Sequence, residues 1–141
     1  MLGTSVASAQ FVATLELKED IPGICNKKEV YALFPSLKGQ KEAVCVMSKD
    51  DLLIKLNAEV KFIIDNPKHK DEGMVNIILN CAGEVVKCEI DNKTKDPELD
   101  KQVVAVFKTL TFSAPGKLNG MNVDSSLLYS FKVKKGKITW S

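Results

Sequence analysis

Four cysteines, Cys25, Cys45, Cys81 and Cys88, and one histidine, His69, are the residues best suited to redox, metal or nucleophilic chemistry in this sequence. Their spacing supports little of it. There is no C-x2-C pair, so neither a zinc knuckle nor a thioredoxin-type motif is present. A serine or cysteine nucleophile would have to take its base from His69, which lies in the charged run Lys68 to Gly73 with no motif around it. G-x-S-x-G, HExxH and phosphate-loop patterns are absent. Two carboxylate pairs, Asp50-Asp51 and Asp71-Glu72, fall at a helix start and in a charged loop, where solvation accounts for them. A glycosidase needs two carboxyls converging in a cleft. The expectation is therefore a non-enzymatic protein with no catalytic residue, cofactor or metal site.

An even cysteine count in an exported chain suggests two disulfides instead. Three pairings are possible, and neighbour pairing, Cys25 with Cys45 and Cys81 with Cys88, is the simplest. The competing reading of each cysteine is a small buried apolar residue, and it suits Cys88 best.

The elements that must position these residues come from an ordinary globular composition, 45% apolar and 27% charged over 141 residues. The net charge is only +2, and the sequence contains no arginine, the preferred residue for phosphate and base contacts. Nucleic acid is not an expected partner. No apolar run is long enough for a membrane span. Near the N-terminus, Ala7-Ser8-Ala9 before Gln10 has the small-x-small form of a signal peptidase site. Residues 1–10 are read as a signal remnant or disordered start, and the protein as periplasmic or secreted.

Residues 11–47 read as an N-terminal extension packing on the rest. Phe11 to Lys18 alternate as a short strand, and Glu29 to Phe34 suggest a helical turn stopped at Pro35. Residues 48–141 read as one domain. Ser48-Lys49-Asp50-Asp51 has the form of a capping box. Leu52, Leu53, Leu56, Val60, Ile63 and Ile64 then recur at helical spacing until Asn66-Pro67. Met74 to Leu79 and Val85 to Ile90 form a hairpin around Gly83. Asp96-Pro97-Glu98 opens a second helix, with Leu99, Val103, Val106, Phe107 and Leu110 on one face. After a turn through Pro115-Gly116, Leu127, Tyr129, Phe131 and Val133 alternate with polar residues in a closing strand. The fold class is α+β, two helices on a small antiparallel sheet in the order helix, strand, strand, helix, strand. The closing strand runs into Lys132-Val133-Lys134-Lys135-Gly136-Lys137. Lysines there are what an edge strand carries to prevent stray pairing, and the same edge can accept a peptide.

This order and its punctuation resemble the C-terminal domain of the TonB energy-transducer family. The hairpin Val75-Asn76-Ile77-Ile78-Leu79-Asn80-Cys81-Ala82-Gly83-Glu84-Val85 is similar to that family's V-x-V-x-F-x-V…G-x-V. Leu99-Asp100 with Val103, Val106 and Phe107 is similar to its second helix. Phe112, Pro115-Gly116-Lys117, Gly120 and Val123 are similar to its Pro-Gly-Lys turn. The likeness runs from near Leu52 to Val133. It implies a domain that binds a short protein segment, an outer-membrane transporter segment in the family, by strand addition at the closing strand. On this sequence that edge is Ser126, Leu128, Ser130, Lys132 and Lys134. No N-terminal anchor or proline-rich spacer precedes the domain, so the expectation is a free extracytoplasmic binding module. A structural or assembly protein dimerising through the same edge is the alternative, and a thiol-redox protein using Cys81 and Cys88 a further one.

Overall fold

A computed structural model describes residues 11–17, 19–26 and 29–141. The expected signal remnant at residues 1–10 lies outside the described residues. The chain is mixed α+β, with three helices and several sheets among the described residues.

The two helix starts follow from their caps. Helix α1 (Lys49–Glu59) begins where the Ser48 hydroxyl accepts the Asp51 N–H at 3.1 Å, with Asp50 and Asp51 at the positive end of the helix dipole. Helix α3 (Pro97–Phe107) begins at Asp96, whose carboxylate accepts the Glu98 N–H, with Pro97 in the first helical position. The first apolar stripe does not make one continuous helix. Val60 is extended (φ −81°, ψ 91°) and separates α1 from a short helix α2 (Lys61–Asp65). The break turns Val60 and Ile63 fully inward and leaves Ile64 exposed.

The main sheet is built on a hairpin, β5 (Asp71–Leu79) and β6 (Val85–Asn92), joined through Gly83 at φ +84°. β5 begins three residues earlier than the apolar pattern suggests, inside the charged run. The long strand β10 (Ser125–Lys134) pairs antiparallel with β5 along Ser125–Val133. Two further strands complete the sheet. β2 (Val30–Ala32) pairs parallel with the start of β10, and β1 (Ala13–Leu15) pairs antiparallel with β2. β11 (Lys137–Trp140) pairs antiparallel with the end of β10. The order is β1-β2-β10-β5-β6, with β11 beside β10. Val30–Ala32, inside the segment expected as a helical turn, is thus a strand, because the Tyr31 N–H bonds to the Asp124 carbonyl just ahead of β10, a partner that no local pattern reveals. Small ladders add to this: β3 (Gln40–Lys41) pairs with β8 (Gly116–Leu118), which pairs with β9 (Met121–Val123), and β4 (Val44–Cys45) pairs with β7 (Phe112–Ala114).

The helices cover one face of the sheet. Leu52, Leu56, Val60, Ile63, Leu99, Val103, Val106 and Phe107 meet Val75, Ile77 and Leu79 from β5 and Leu127, Tyr129, Phe131 and Val133 from β10. Each large apolar side chain fully buried there contributes about 1.5–3 kcal/mol. On the opposite face the N-terminal segment covers one end, where Ile21 and Val30 bury Ile78. No described helix is long and apolar enough to cross a membrane.

Candidate functional site

The five residues expected to form a docking edge are on β10, and β10 is not an edge. Its backbone is paired with β5 on one side. On the other side β2 takes Ser125 and Ser126, and β11 takes Phe131 to Lys134. The lysine-rich end is not a terminus of the sheet but a hairpin. Lys135 and Gly136, at φ +53° and +73°, make a two-residue turn that sends the chain back as β11. The side chains of Leu128, Ser130, Lys132 and Lys134 are exposed, with Ser126 half-buried, on the sheet face away from the helices. What stays open beside β10 is a short gap. The Ser141 N–H bonds to the Ser130 carbonyl at 2.9 Å, so Ser130 and the even-numbered residues face β11 and β2. Leu128 alone in that set meets neither strand. A cleft of about 750 Å³ lies beside it, lined in part by Lys41, Cys45, Lys49, Leu127 and Tyr129. The Lys49 ammonium stands 5.7 Å and 5.8 Å from the centres of the Tyr129 and Trp140 rings. Burial, then the neighbouring Cys45 and Glu42, push the Tyr129 hydroxyl up to about 12, so it stays protonated at neutral pH.

The outer edge of β11 is closed as well. The Asn57 side chain accepts the Ile138 N–H at 2.8 Å and donates to the Ile138 carbonyl at 2.9 Å, acting as a one-residue strand. The Trp140 indole N–H donates to the Lys49 carbonyl. β1 is three residues long. Among the described residues, the long open edge of the sheet is β6.

Its geometry follows from the register. Odd-numbered β10 residues face β5, so odd-numbered β5 residues face β10 and Asn76 and Ile78 face β6. Their partners are Glu89 and Lys87. Alternation then turns the N–H and C=O of Cys88 and Ile90 outward. Register shifts at each end skip Val86 and Asp91, which confines regular pairing to Lys87–Ile90. Alongside runs α3, and between the two lies a groove of about 660 Å³. Cys88, Ile90, Val104 and Ala105 give it an apolar lining, and Lys93, Lys101 and Lys108 stand around it, all three exposed.

The cysteines pair differently from the neighbour arrangement. Cys25 and Cys81 form a disulfide, with Cα atoms 6.0 Å apart, and Cys45 and Cys88 are free thiols. The hairpin turn holds Cys81 against the N-terminal segment, whereas Cys88 lies inside β6 on the helix side of the sheet. Beside the disulfide, Asp124 is 2% exposed. Its carboxylate accepts the N–H groups of Cys25 at 3.0 Å, Asn26 at 2.7 Å and Cys81 at 2.8 Å. Cys25, Cys81 and Asp124 are three potential metal ligands within 4.8 Å, but the two sulfurs are bonded to each other and offer no thiolate.

A Cys81–Cys88 redox couple is not formed. Burial is the main cause that pushes the Cys88 thiol up to about 11, against a weak opposing pull from Lys108. At pH 8 its alkylation by iodoacetamide should run roughly a hundredfold slower than that of free cysteine and accelerate as pH rises toward 11. Mass spectrometry of the native protein checks this. His69 is also held in a structural contact. Its Nε2 lies 2.7 Å from the Asp71 carboxylate, and its ring packs edge-on against Phe62. Burial would raise Asp71, but hydrogen bonds from His69 and from the Lys95 and Glu72 N–H groups outweigh it and hold the carboxyl below its ordinary value.

No protein-family model matches this chain, and neither the curated proteins nor the solved structures contain a match to it.

Proposed function

We propose that this protein is a non-enzymatic binding module that captures an extended segment of another protein by strand addition, at β6 rather than at the last strand. The observation that carries the reading is the unpaired edge of Lys87–Ile90 beside the α3 groove. Outward N–H and C=O groups supply main-chain affinity, and an adjacent groove supplies side-chain selection. The two skipped positions set the length of the paired segment at about four residues. The disulfide fits an oxidising compartment, so a periplasmic or secreted location is part of the proposal. The order α1, β5, β6, α3, β10 supports the likeness to the TonB C-terminal domain, and a transporter segment is one partner consistent with it.

Hydrogen exchange tests the site directly. In the isolated protein the amides of Cys88 and Ile90 should exchange fast for strand residues. An extended peptide ligand should slow both by at least tenfold. Protection that appears at Leu128, or nowhere on β6, would remove the reading. Protection that grows with protein concentration alone would assign the edge to self-pairing of two copies.

A further inference from the structure

Resting on that reading, we infer that the segment captured at β6 is acidic, with a small apolar side chain at its centre. The groove beside the edge is lined by three lysines, Lys93, Lys101 and Lys108, and by two carboxylates, Glu89 and Asp100. The carboxylates are engaged elsewhere. Glu89 is bound by Lys87 at 3.1 Å. Asp100 accepts the Thr94 hydroxyl at 2.6 Å and the Thr94 N–H at 3.0 Å. None of the three lysines is in an ion pair among the described residues. With Glu89 paired to Lys87, the lining sets three lysine charges against the single carboxylate of Asp100, a net positive balance.

The lysines are also placed for a strand. Lys101 on α3 and Lys108 at its C-cap are about two helical turns apart, about 10 Å along the helix. That is roughly three residues of an extended chain. Lys93 follows the end of β6. An added strand would lay alternate side chains toward α3, between these ammonium groups. At the centre the lining is Cys88 and Val104, both half-buried, which leaves shallow apolar room rather than a deep pocket. A valine- or alanine-sized side chain fits such a floor, and carboxylates on either side reach the lysines. A basic segment would meet like charge at each flank.

The test uses the whole protein and three fluorescein-labelled hexapeptides alternating valine with glutamate, glutamine or lysine, read by fluorescence anisotropy and by amide shifts. Exposed charge pairs are individually weak, so the glutamate peptide should bind roughly tenfold tighter than the glutamine peptide in low salt. The advantage should vanish near 0.5 M salt, where charges are screened. Lys93→Glu with Lys101→Glu should invert the preference toward the lysine peptide, and an unchanged amide spectrum away from the groove confirms that the variant folds. Equal binding of the glutamate and glutamine peptides, with shifts at Lys87–Ile90, overturns the acidic preference and leaves strand addition standing. An absence of shifts at Lys87–Ile90 with all three peptides overturns both.

Discussion

Replacing Cys25 and Cys81 together with serine should lower the melting temperature by about 10 °C. The bond joins residues 56 apart in sequence, and closing a loop of that size removes chain entropy from the unfolded state worth about 4 kcal/mol. For a chain of this length each kcal/mol moves the midpoint by roughly 3 °C. Calorimetry of the double variant measures it, and reductant added to the wild-type protein should reproduce the shift. Reductant should not move the variant further, because Cys45 and Cys88 are already thiols. A second readout locates the effect. Amides of residues 19–26 and 29–33 should lose protection first, since these flank the bond that holds the N-terminal segment on the sheet. A shift under about 2 °C would mean that the segment is held without the bond.

Asp124→Ala should cost about 3 kcal/mol or more, the second large effect. Three backbone N–H groups from two remote segments end on this one carboxylate. Hydrogen bonds to a charged acceptor contribute about 1.5–3 kcal/mol each, and their loss strands donors that are already part-buried. No described cation neutralises Asp124, so the N–H dipoles carry its stabilisation. Because the disulfide and the carboxylate hold the same segments, their losses should not add. The triple variant should fall short of the sum by at least 1 kcal/mol in a double-mutant cycle. Strict additivity would show that the two act separately.

How much of this could be seen in the sequence depended on range. Features set by neighbours in the chain were legible. Ser48 and Asp96 cap their helices, Gly83 takes the positive φ of the hairpin turn, and the odd residues of β10 face the core. Leu99, Val103, Val106, Phe107 and Leu110 are all buried. Features set by distant partners were not. β2 is three residues long and pairs in parallel with a strand 94 positions away, which leaves no periodic trace. β11 was hidden because Lys135-Gly136-Lys137 has the composition of a charged tail, although Gly with φ > 0 is also what a two-residue hairpin requires. The true edge at β6 depended on knowing what covers β10 and β11, down to a single side chain, Asn57. The disulfide partner of Cys81 is a matter of distance in space, and spacing along the chain gave the neighbour Cys88 a false advantage.

The parallel contact of β2 with β10 sets a timetable. Synthesis runs from the N-terminus, so Cys25 and the strands around it emerge long before Ser125 and Ser126 exist to receive them. Cys45 is the first thiol that Cys25 can meet, and only Cys81 is right. β1 and β2 can pair with each other, but β2 has no seat in the main sheet until the last quarter of the chain has arrived and β10 has laid itself against β5. The native bond is a closing event.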